Sequence, residues 1–212
     1  MQNAKIKVRA FTLIEMLVVI GVIGILAGIL LGVLPAAQRK GIRGRVKTEM
    51  AAIDMAIKNY KAKNNFFPPD NKLDVARPQL FYELTGTIQE TQPPPPPIRY
   101  KSIYASADPA LTETDLKALF GVGGFLNSAP APEESDVPIF HKIRGDRQVR
   151  HFPAATLPEH RLLAAPRQGM DGQPAVWRYA TGPGATNNPG EFDLWAEIEI
   201  GGKKIVIGNW EK

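Results

Sequence analysis

Apolar residues form one continuous run near the start of the chain, from Phe11 to Leu34, and Glu15 is its one charged residue. The run is 24 residues long. A helix of that length, at about 1.5 Å per residue, would measure about 36 Å and could cross a hydrocarbon core of about 30 Å with some tilt. The pattern therefore predicts a transmembrane helix over residues 11–34.

Two simpler interpretations of this run explain less. A secretory signal peptide has an apolar region of about 7–15 residues before a small-residue cleavage site, which is shorter than the run from Phe11 to Leu34. A plain membrane anchor leaves Glu15 unexplained, because an acid in the middle of a membrane helix costs about 2.5–3.5 kcal/mol unless it is paired. Glu15 therefore indicates a cationic partner, or else a carboxylate that reaches the interface from near the helix end.

A second apolar pattern predicts that the helix continues. Residues spaced by four, three, four and three positions share one face of a helix; they are Val46, Met50, Ile53, Ile57 and Tyr60. Pro68-Pro69 prevents further helix, which predicts an end near Asn64-Asn65. We therefore expect an amphipathic helical half over residues 35–65, with a kink at Pro35 because proline removes a backbone hydrogen bond.

Small residues recur inside the apolar run at spacings of three and four, namely Gly21, Gly24, Gly28 and Gly32. One interpretation is a stripe on which neighbouring helices approach closely. The other is that glycine is simply frequent in membrane helices. Both interpretations remain open at this point.

Alternating apolar and polar residues near the carboxyl end predict a β-hairpin. Residues 192–200 alternate, Gly201-Gly202 supplies a tight turn, and residues 203–207 return. We expect the apolar face of the hairpin to pack on the helix near Met50, Ile53 and Ile57. Residues 175–179 predict a further strand, and residues 137–141 a weaker one.

The stretch over residues 66–135 has less regular patterns. Pro78 is expected to open a short helix through Leu84, and Thr112 is expected to cap a second helix that ends at Gly121. The five prolines at 93–97 favour a stiff polyproline II spacer. We interpret this stretch as a proline-rich insertion on a single head, residues 66–212. The predicted fold class is α+β, with a long N-terminal helix packed on a small antiparallel β-sheet head.

Composition narrows the functional classes. The chain has no cysteine and a net charge of +5. Disulfides and thiolate chemistry are therefore excluded, and lipid headgroups explain the basic residues beside the apolar run without nucleic acid. His141, His151 and His160 lack the spacing of a short metal-binding motif, and no phosphate loop or nucleophile elbow occurs. The sequence thus favours a non-enzymatic protein.

The residues around the start of the apolar run resemble a known processing site. Lys5, Lys7 and Arg9 precede Ala10-Phe11-Thr12-Leu13-Ile14-Glu15, and this arrangement resembles the site of type IV prepilins and type II secretion pseudopilins. The resemblance implies a leader peptide, residues 1–10, removed by a prepilin peptidase between Ala10 and Phe11, followed by N-methylation of Phe11. The family usually has glycine in place of Ala10, so we expect slower cleavage.

The same resemblance implies a role for the acid. Cleavage would create a cationic amine on Phe11, and in a filament of staggered helices the amine of one subunit can meet Glu15 of a neighbour. A low-dielectric environment strengthens that attraction and penalises either charge left alone. Phe11 and Glu15 are therefore the expected assembly residues. If Glu15 instead reaches the interface, it would be dispensable for assembly.

The carboxyl end resembles most the major pseudopilin of type II secretion systems. The resemblance lies in four segments: Asp171-Gly172-Gln173-Pro174, Trp177-Arg178-Tyr179, Gly190-Glu191-Phe192-Asp193-Leu194-Trp195 and Ile207-Gly208-Asn209-Trp210. In that family a loop between the last two elements often holds calcium through oxygen ligands. In this chain Glu197 and Glu199 are the candidate calcium ligands. They are weak candidates, because the acidic glycine-rich loop that would suit calcium is missing. No other cofactor is expected.

Together these features imply a structural subunit of a type II secretion pseudopilus. The expected location is the bacterial inner membrane, with a single span and the C-terminal domain in the periplasm. The expected partners are other copies of the chain, minor pseudopilins, the prepilin peptidase, the inner-membrane assembly platform and the lipid bilayer. One alternative is a type IV pilin or minor pilin, acting in adhesion, motility or DNA uptake. Another is a membrane-tethered binding module that never polymerises.

Overall fold

The computed structural model of the chain describes residues 11–90, 98–130 and 137–211. The chain divides into two units, with the boundary between Ile42 and Arg43. The leader, residues 1–10, and the five prolines at 93–97 lie outside the described residues. Their predicted roles therefore stay predictions.

One long helix, α1, covers Leu13–Asn64. It ends where Asn65 adopts a left-handed backbone conformation with φ of 67°, close to the end that Pro68-Pro69 predicts. Within the described residues, no helix combines the length and apolar character that crossing a bilayer requires. The membrane-spanning half of α1 thus stays a prediction from the sequence.

The predicted apolar face of α1 is buried in the second unit. Its five residues are exposed by at most 8%; they are Val46, Met50, Ile53, Ile57 and Tyr60. Outside this face, Lys58 and Asp54 form an ion pair of 2.7 Å one turn apart. The spacing of apolar positions therefore identified the buried side of the helix correctly.

A short helix and a small sheet follow α1. Helix α2 spans Leu80–Thr85, and Gly86 ends it with φ of 87°. Strands β1 (Thr87–Glu90), β2 (Arg99–Ser102), β3 (Leu111–Thr112) and β4 (Ser128–Pro130) form a sheet of order β3-β2-β1-β4. The pair β1–β4 is parallel, and the other two pairs are antiparallel.

This sheet corrects the sequence-based prediction of an irregular insertion and of a single antiparallel sheet. Its strands are two to four residues long, which is too short to show an alternating pattern. Helix α3, Glu113–Phe120, confirms the prediction for the same stretch. The Thr112 side chain caps α3 reciprocally with Asp115, and Gly121 ends it with φ of 71°.

A five-stranded antiparallel meander forms the rest of the head. Its strands are β5 (Val149–Phe152), β6 (His160–Gln168), β7 (Pro174–Thr181), β8 (Phe192–Ile200) and β9 (Lys203–Gly208), paired in chain order. The hairpin β8–β9 confirms the strongest strand prediction, with Ile200 opposite Lys203 and two positive-φ glycines in the turn. Strand β7 confirms the second prediction.

The predicted strand over residues 137–141 is wrong. Phe140 and His141 instead donate their backbone N–H groups to the carbonyl oxygen of Leu84, each at 2.9 Å. Pro138 has no N–H to offer a strand ladder. The segment therefore closes the carboxyl end of α2 rather than extending a sheet.

The inner face of β8 lies in the core of the head. Its five residues are exposed by at most 5%; they are Phe192, Leu194, Ala196, Ile198 and Ile200. Phe67, just after α1, packs edge-on against Phe192 with ring centroids 5.2 Å apart. The expected direct contact between this face and Met50, Ile53 and Ile57 stays a prediction.

A buried carboxylate joins α1 to the rest of the second unit. Glu83 accepts hydrogen bonds from the Tyr60 hydroxyl at 3.0 Å and from the backbone N–H groups of Leu126 and Asn127 at 2.9 and 3.0 Å. Burial raises the pKa of Glu83, while these hydrogen bonds act in the opposite direction. The contact fixes the last turns of α1 against α2 and residues 125–127.

Candidate functional site

A reciprocal cap at the start of α1 holds the acid that the sequence singled out. The Thr12 backbone N–H and hydroxyl both donate to Oε2 of Glu15, at 2.8 and 2.7 Å, and the Glu15 N–H donates to the Thr12 hydroxyl oxygen at 3.2 Å. Because α1 begins at Leu13, Glu15 is its third residue. This is the capping-box arrangement, which satisfies backbone donors that a helix start leaves free.

The cap engages one side of the carboxylate. Among the described residues, hydrogen bonds to Glu15 reach Oε2 alone, and no cation lies within ion-pair distance of it. The carboxylate borders a shallow groove whose other lining residues are apolar: Phe11, Ile14, Val18 and Val19. An anion with a free oxygen thus sits beside apolar surface, where a cation would bind strongly once water is excluded.

The helix around the acid presents a continuous apolar surface. Every large apolar side chain between Phe11 and Ile29 is exposed, by 45% to 83%. Soluble monomers rarely expose contiguous apolar patches of this kind, which mark contacts with proteins or membranes. This first unit therefore provides a surface that needs a covering partner.

The glycine stripe is open in the single chain. Apart from its neighbours and the nearby backbone of its own helix, a Cβ atom placed on Gly21, Gly24 or Gly28 would meet no atom within 4 Å. These glycines are therefore not required by contacts inside their own chain, and the stripe is available to a neighbouring helix.

The other predicted site residues differ in where they lie in the structure. Ala10 lies outside the described residues, Phe11 is exposed by 70%, and Pro35 lies within α1. The sequence interpretation missed Thr12 as the partner of Glu15. The signal was present, because Thr12-Leu13-Ile14-Glu15 has the spacing of a capping box.

The two candidate calcium ligands are paired with side-chain cations. Oε2 of Glu197 lies 3.0 Å from Lys204 Nζ and 3.4 Å from Arg178 Nη2, and Oε2 of Glu199 lies 3.6 Å from Arg167 Nη2. Calcium takes six to eight oxygen ligands, and the two-glycine turn between β8 and β9 adds no acid. The donor set at this hairpin therefore does not fit the calcium ion that the resemblance implies.

The three histidines lie in different environments. His141 and His160 are buried, and burial lowers the pKa of both imidazoles. His160 also stacks on Phe152 with ring centroids 4.8 Å apart. His151 is exposed, with Nε2 2.8 Å from Oε1 of Glu159.

Sequence comparisons relate the amino-terminal segment to known proteins. Residues 5–31 match the family model of the prokaryotic N-terminal methylation motif. The chain is also 33% identical over 66 residues to type II secretion system core protein G of Escherichia coli (strain K12). That alignment covers 31% of this chain and 46% of the relative, so the chain spans less than half of the length of the relative it matches. No solved structure matches.

These matches confirm the resemblance found in the sequence. The methylation motif includes Phe11, Glu15 and most of the exposed apolar surface of α1. The second match extends the resemblance to a protein of type II secretion. The chain is therefore similar to type IV pilin-like proteins of secretion systems.

Proposed function

We propose that the chain is a structural subunit of a type II secretion pseudopilus. After a prepilin peptidase cuts between Ala10 and Phe11, the new amino terminus is methylated and the subunit polymerises through α1. The filament grows from the inner membrane into the periplasm and moves exported proteins outward. The observation that supports this most directly is the Glu15 carboxylate, which borders an apolar groove and whose Oε1 oxygen has no hydrogen bond or ion pair within the described residues.

The charge on Glu15 favours assembly over a passive anchor. An acid in hydrocarbon costs about 2.5–3.5 kcal/mol, and two hydrogen bonds from Thr12 offset part of that cost. An amine from a second subunit could neutralise the remaining charge through Oε1. The capping box holds the carboxylate at the first turn of α1, at the level of the amine that cleavage would create.

The proposed membrane role is based on the apolar surface of residues 11–34. In the precursor this surface would lie in the inner membrane, with the head in the periplasm. In the filament the same surface, including the open Gly21-Gly24-Gly28 stripe, would pack against neighbouring copies. Minor pseudopilins and the assembly platform of the secretion system are the further partners that this proposal requires.

The amino terminus of the mature protein tests the proposal. Mass spectrometry of protein purified from its native membrane should find a chain that begins with methylated Phe11. A chain that begins at Met1, or one that begins near Ala37, would overturn the proposal.

A type IV pilin or minor pilin is the second candidate, because the methylation motif over residues 5–31 suits both kinds of filament. Neighbouring genes distinguish them: a secretin with a secretion ATPase favours the pseudopilus, and a retraction ATPase favours the pilus. A tethered module that never polymerises would keep its function when Glu15 is replaced.

A further inference from the structure

Three metal-binding side chains from separate parts of the head meet at one place. Asp108 lies in the turn after β2, His151 on β5, and Glu159 directly before β6. One ligand atom of each residue lies within 4.8 Å of the ligand atoms of the other two. The connection between β2 and β3 thus contributes one donor to this cluster, and the β5–β6 hairpin contributes two.

An arginine keeps one of these donors in place. His151 and Arg161 are opposite each other in the β5–β6 pair. The Arg161 guanidinium binds both oxygens of Asp108, with Nη2 2.7 Å from Oδ1 and Nε on Oδ2. Each carboxylate oxygen can accept a second bond, so Asp108 keeps free acceptor positions. Hydrogen bonds of this kind orient carboxylates that bind metals.

The cluster carries an excess of negative charge. Asp108 and Glu159 provide two carboxylates, Arg161 provides one positive charge, and an imidazole adds none when it is neutral. Nε2 of His151 lies 2.8 Å from Oε1 of Glu159. A cation that both atoms bind would replace the hydrogen bond between them.

We propose that Asp108, His151 and Glu159 bind a divalent transition-metal ion, with zinc as the model ion. Zinc lies about 2.0–2.2 Å from nitrogen and oxygen donors, so two of its ligands stand about 3.4 Å apart in tetrahedral geometry. The ligand atoms lie within 4.8 Å of one another, and the 2.8 Å between His151 and Glu159 would have to widen to that value. Imidazole suits zinc, copper, iron and nickel, whereas calcium prefers oxygen donors throughout.

A bound ion would connect the two sheets of the head. Asp108 belongs to the connection between β2 and β3, and the other two ligands belong to the β5–β6 hairpin. An ion that binds the folded head and not the unfolded chain stabilises the fold, and this stabilisation grows with the logarithm of the ion's concentration relative to the dissociation constant. The inference is independent of the proposed filament, because all three residues lie outside α1.

Zinc titration of the full chain tests the site. The protein is purified in detergent micelles without a polyhistidine tag, and zinc binding is measured by isothermal titration calorimetry. Cobalt(II) absorption spectra report on coordination by nitrogen. We expect one saturable zinc site whose affinity falls by about 100-fold or more in His151→Ala and in Glu159→Gln, and a higher thermal midpoint of wild-type protein with zinc.

Controls separate this site from non-specific binding. Glu113→Gln removes another surface carboxylate, which pairs with Lys117 at 2.6 Å, and should bind zinc like wild type. Glu15→Gln should also bind zinc normally, even if it fails to assemble. Equal zinc affinity in wild type, His151→Ala and Glu159→Gln, or calcium binding as tight as zinc binding, would overturn the proposal. So would the absence of saturable binding below millimolar zinc.

Discussion

The charge of Glu15 can be separated from its capping role by one substitution. Glutamine at the third helical position still accepts the capping hydrogen bonds of Thr12, so Glu15→Gln keeps the cap and removes the charge. Thr12→Ala does the reverse, because it removes the hydroxyl that binds Oε2 at 2.7 Å and leaves the carboxylate. The pair of variants therefore compares two explanations of Glu15: pairing with a neighbour's amine, and capping of α1.

The two explanations differ in expected magnitude. If a neighbour's amine is paired with Glu15 in an apolar environment, Glu15→Gln leaves that amine unpaired at a cost of about 3–5 kcal/mol. At about 1.36 kcal/mol per factor of ten, the subunit concentration needed for assembly rises by between about 10² and 10⁴. Loss of the cap in Thr12→Ala costs about 1 kcal/mol, which raises that concentration about fivefold.

Filament formation is the measurement. Both variants are overproduced with the secretion system, sheared filaments are quantified by immunoblotting, and secretion of an exported enzyme is followed in parallel. Membrane levels of each variant control for expression, and Thr12→Ser, which keeps the hydroxyl, controls for Thr12→Ala. Wild-type assembly by Glu15→Gln, or equal losses in Glu15→Gln and Thr12→Ala, would refute charge pairing.

Four further predictions concern the stripe, the buried carboxylate and the hairpin. Gly24→Leu should leave the thermal unfolding of the head unchanged, because a Cβ at Gly24 meets no atom beyond its own helix within 4 Å. The same substitution should reduce the yield of filaments. A filament yield equal to that of wild type would exclude the stripe from packing between subunits. Tyr60→Phe removes a hydrogen bond to buried Glu83 and should lower the free energy of unfolding by about 1.5–3 kcal/mol, whereas exposed Tyr104→Phe should have no effect in the same denaturant titration. Burial raises the pKa of Glu83, so the Glu83 carboxyl keeps its proton to higher pH in the folded head than in the unfolded chain. Its contribution to the free energy of unfolding is therefore full below about pH 4.3 and declines as pH rises through the raised pKa. The Glu83→Gln variant should lack this decline of stability with pH. Added calcium should not raise the unfolding temperature, because Glu197 is paired with Arg178 and Lys204; a rise of several degrees would contradict the ion-pair interpretation.

Local signals predicted the elements whose residues are close in sequence. The apolar spacing from Val46 to Tyr60, the Thr112 cap and the β8–β9 hairpin each depend on neighbours within a few positions, and the structure contains all three. The first sheet depends on distant pairing instead, since Thr87 of β1 pairs with Ser128 of β4. No short-range pattern specifies such a contact.

Strand β6 shows a second reason why the sequence did not predict part of the fold. Leu162, Leu163, Ala164 and Ala165 are all buried, so both faces of the strand are covered and the apolar and polar positions do not alternate. The sequence did not predict the cluster of Asp108, His151 and Glu159 for the same reason that it did not predict the pairing of β1 with β4. Its members are distant in sequence, since Asp108 follows β2 whereas His151 and Glu159 belong to the β5–β6 hairpin.

The cap and the proposed ion pair are compatible because they use different oxygens of one carboxylate. Thr12 donates twice to Oε2 of Glu15, and in a free subunit of the proposed filament this would lower the cost of keeping the acid at the edge of the membrane before a partner arrives. Oε1 remains available, so an incoming amine need not break the cap. A subunit with Glu15→Gln should therefore enter the membrane and fold as well as wild type, and fail at the step where two subunits meet. If its membrane level or protease resistance instead fell with its filament yield, the acid would act before assembly and the ion pair would not explain its presence.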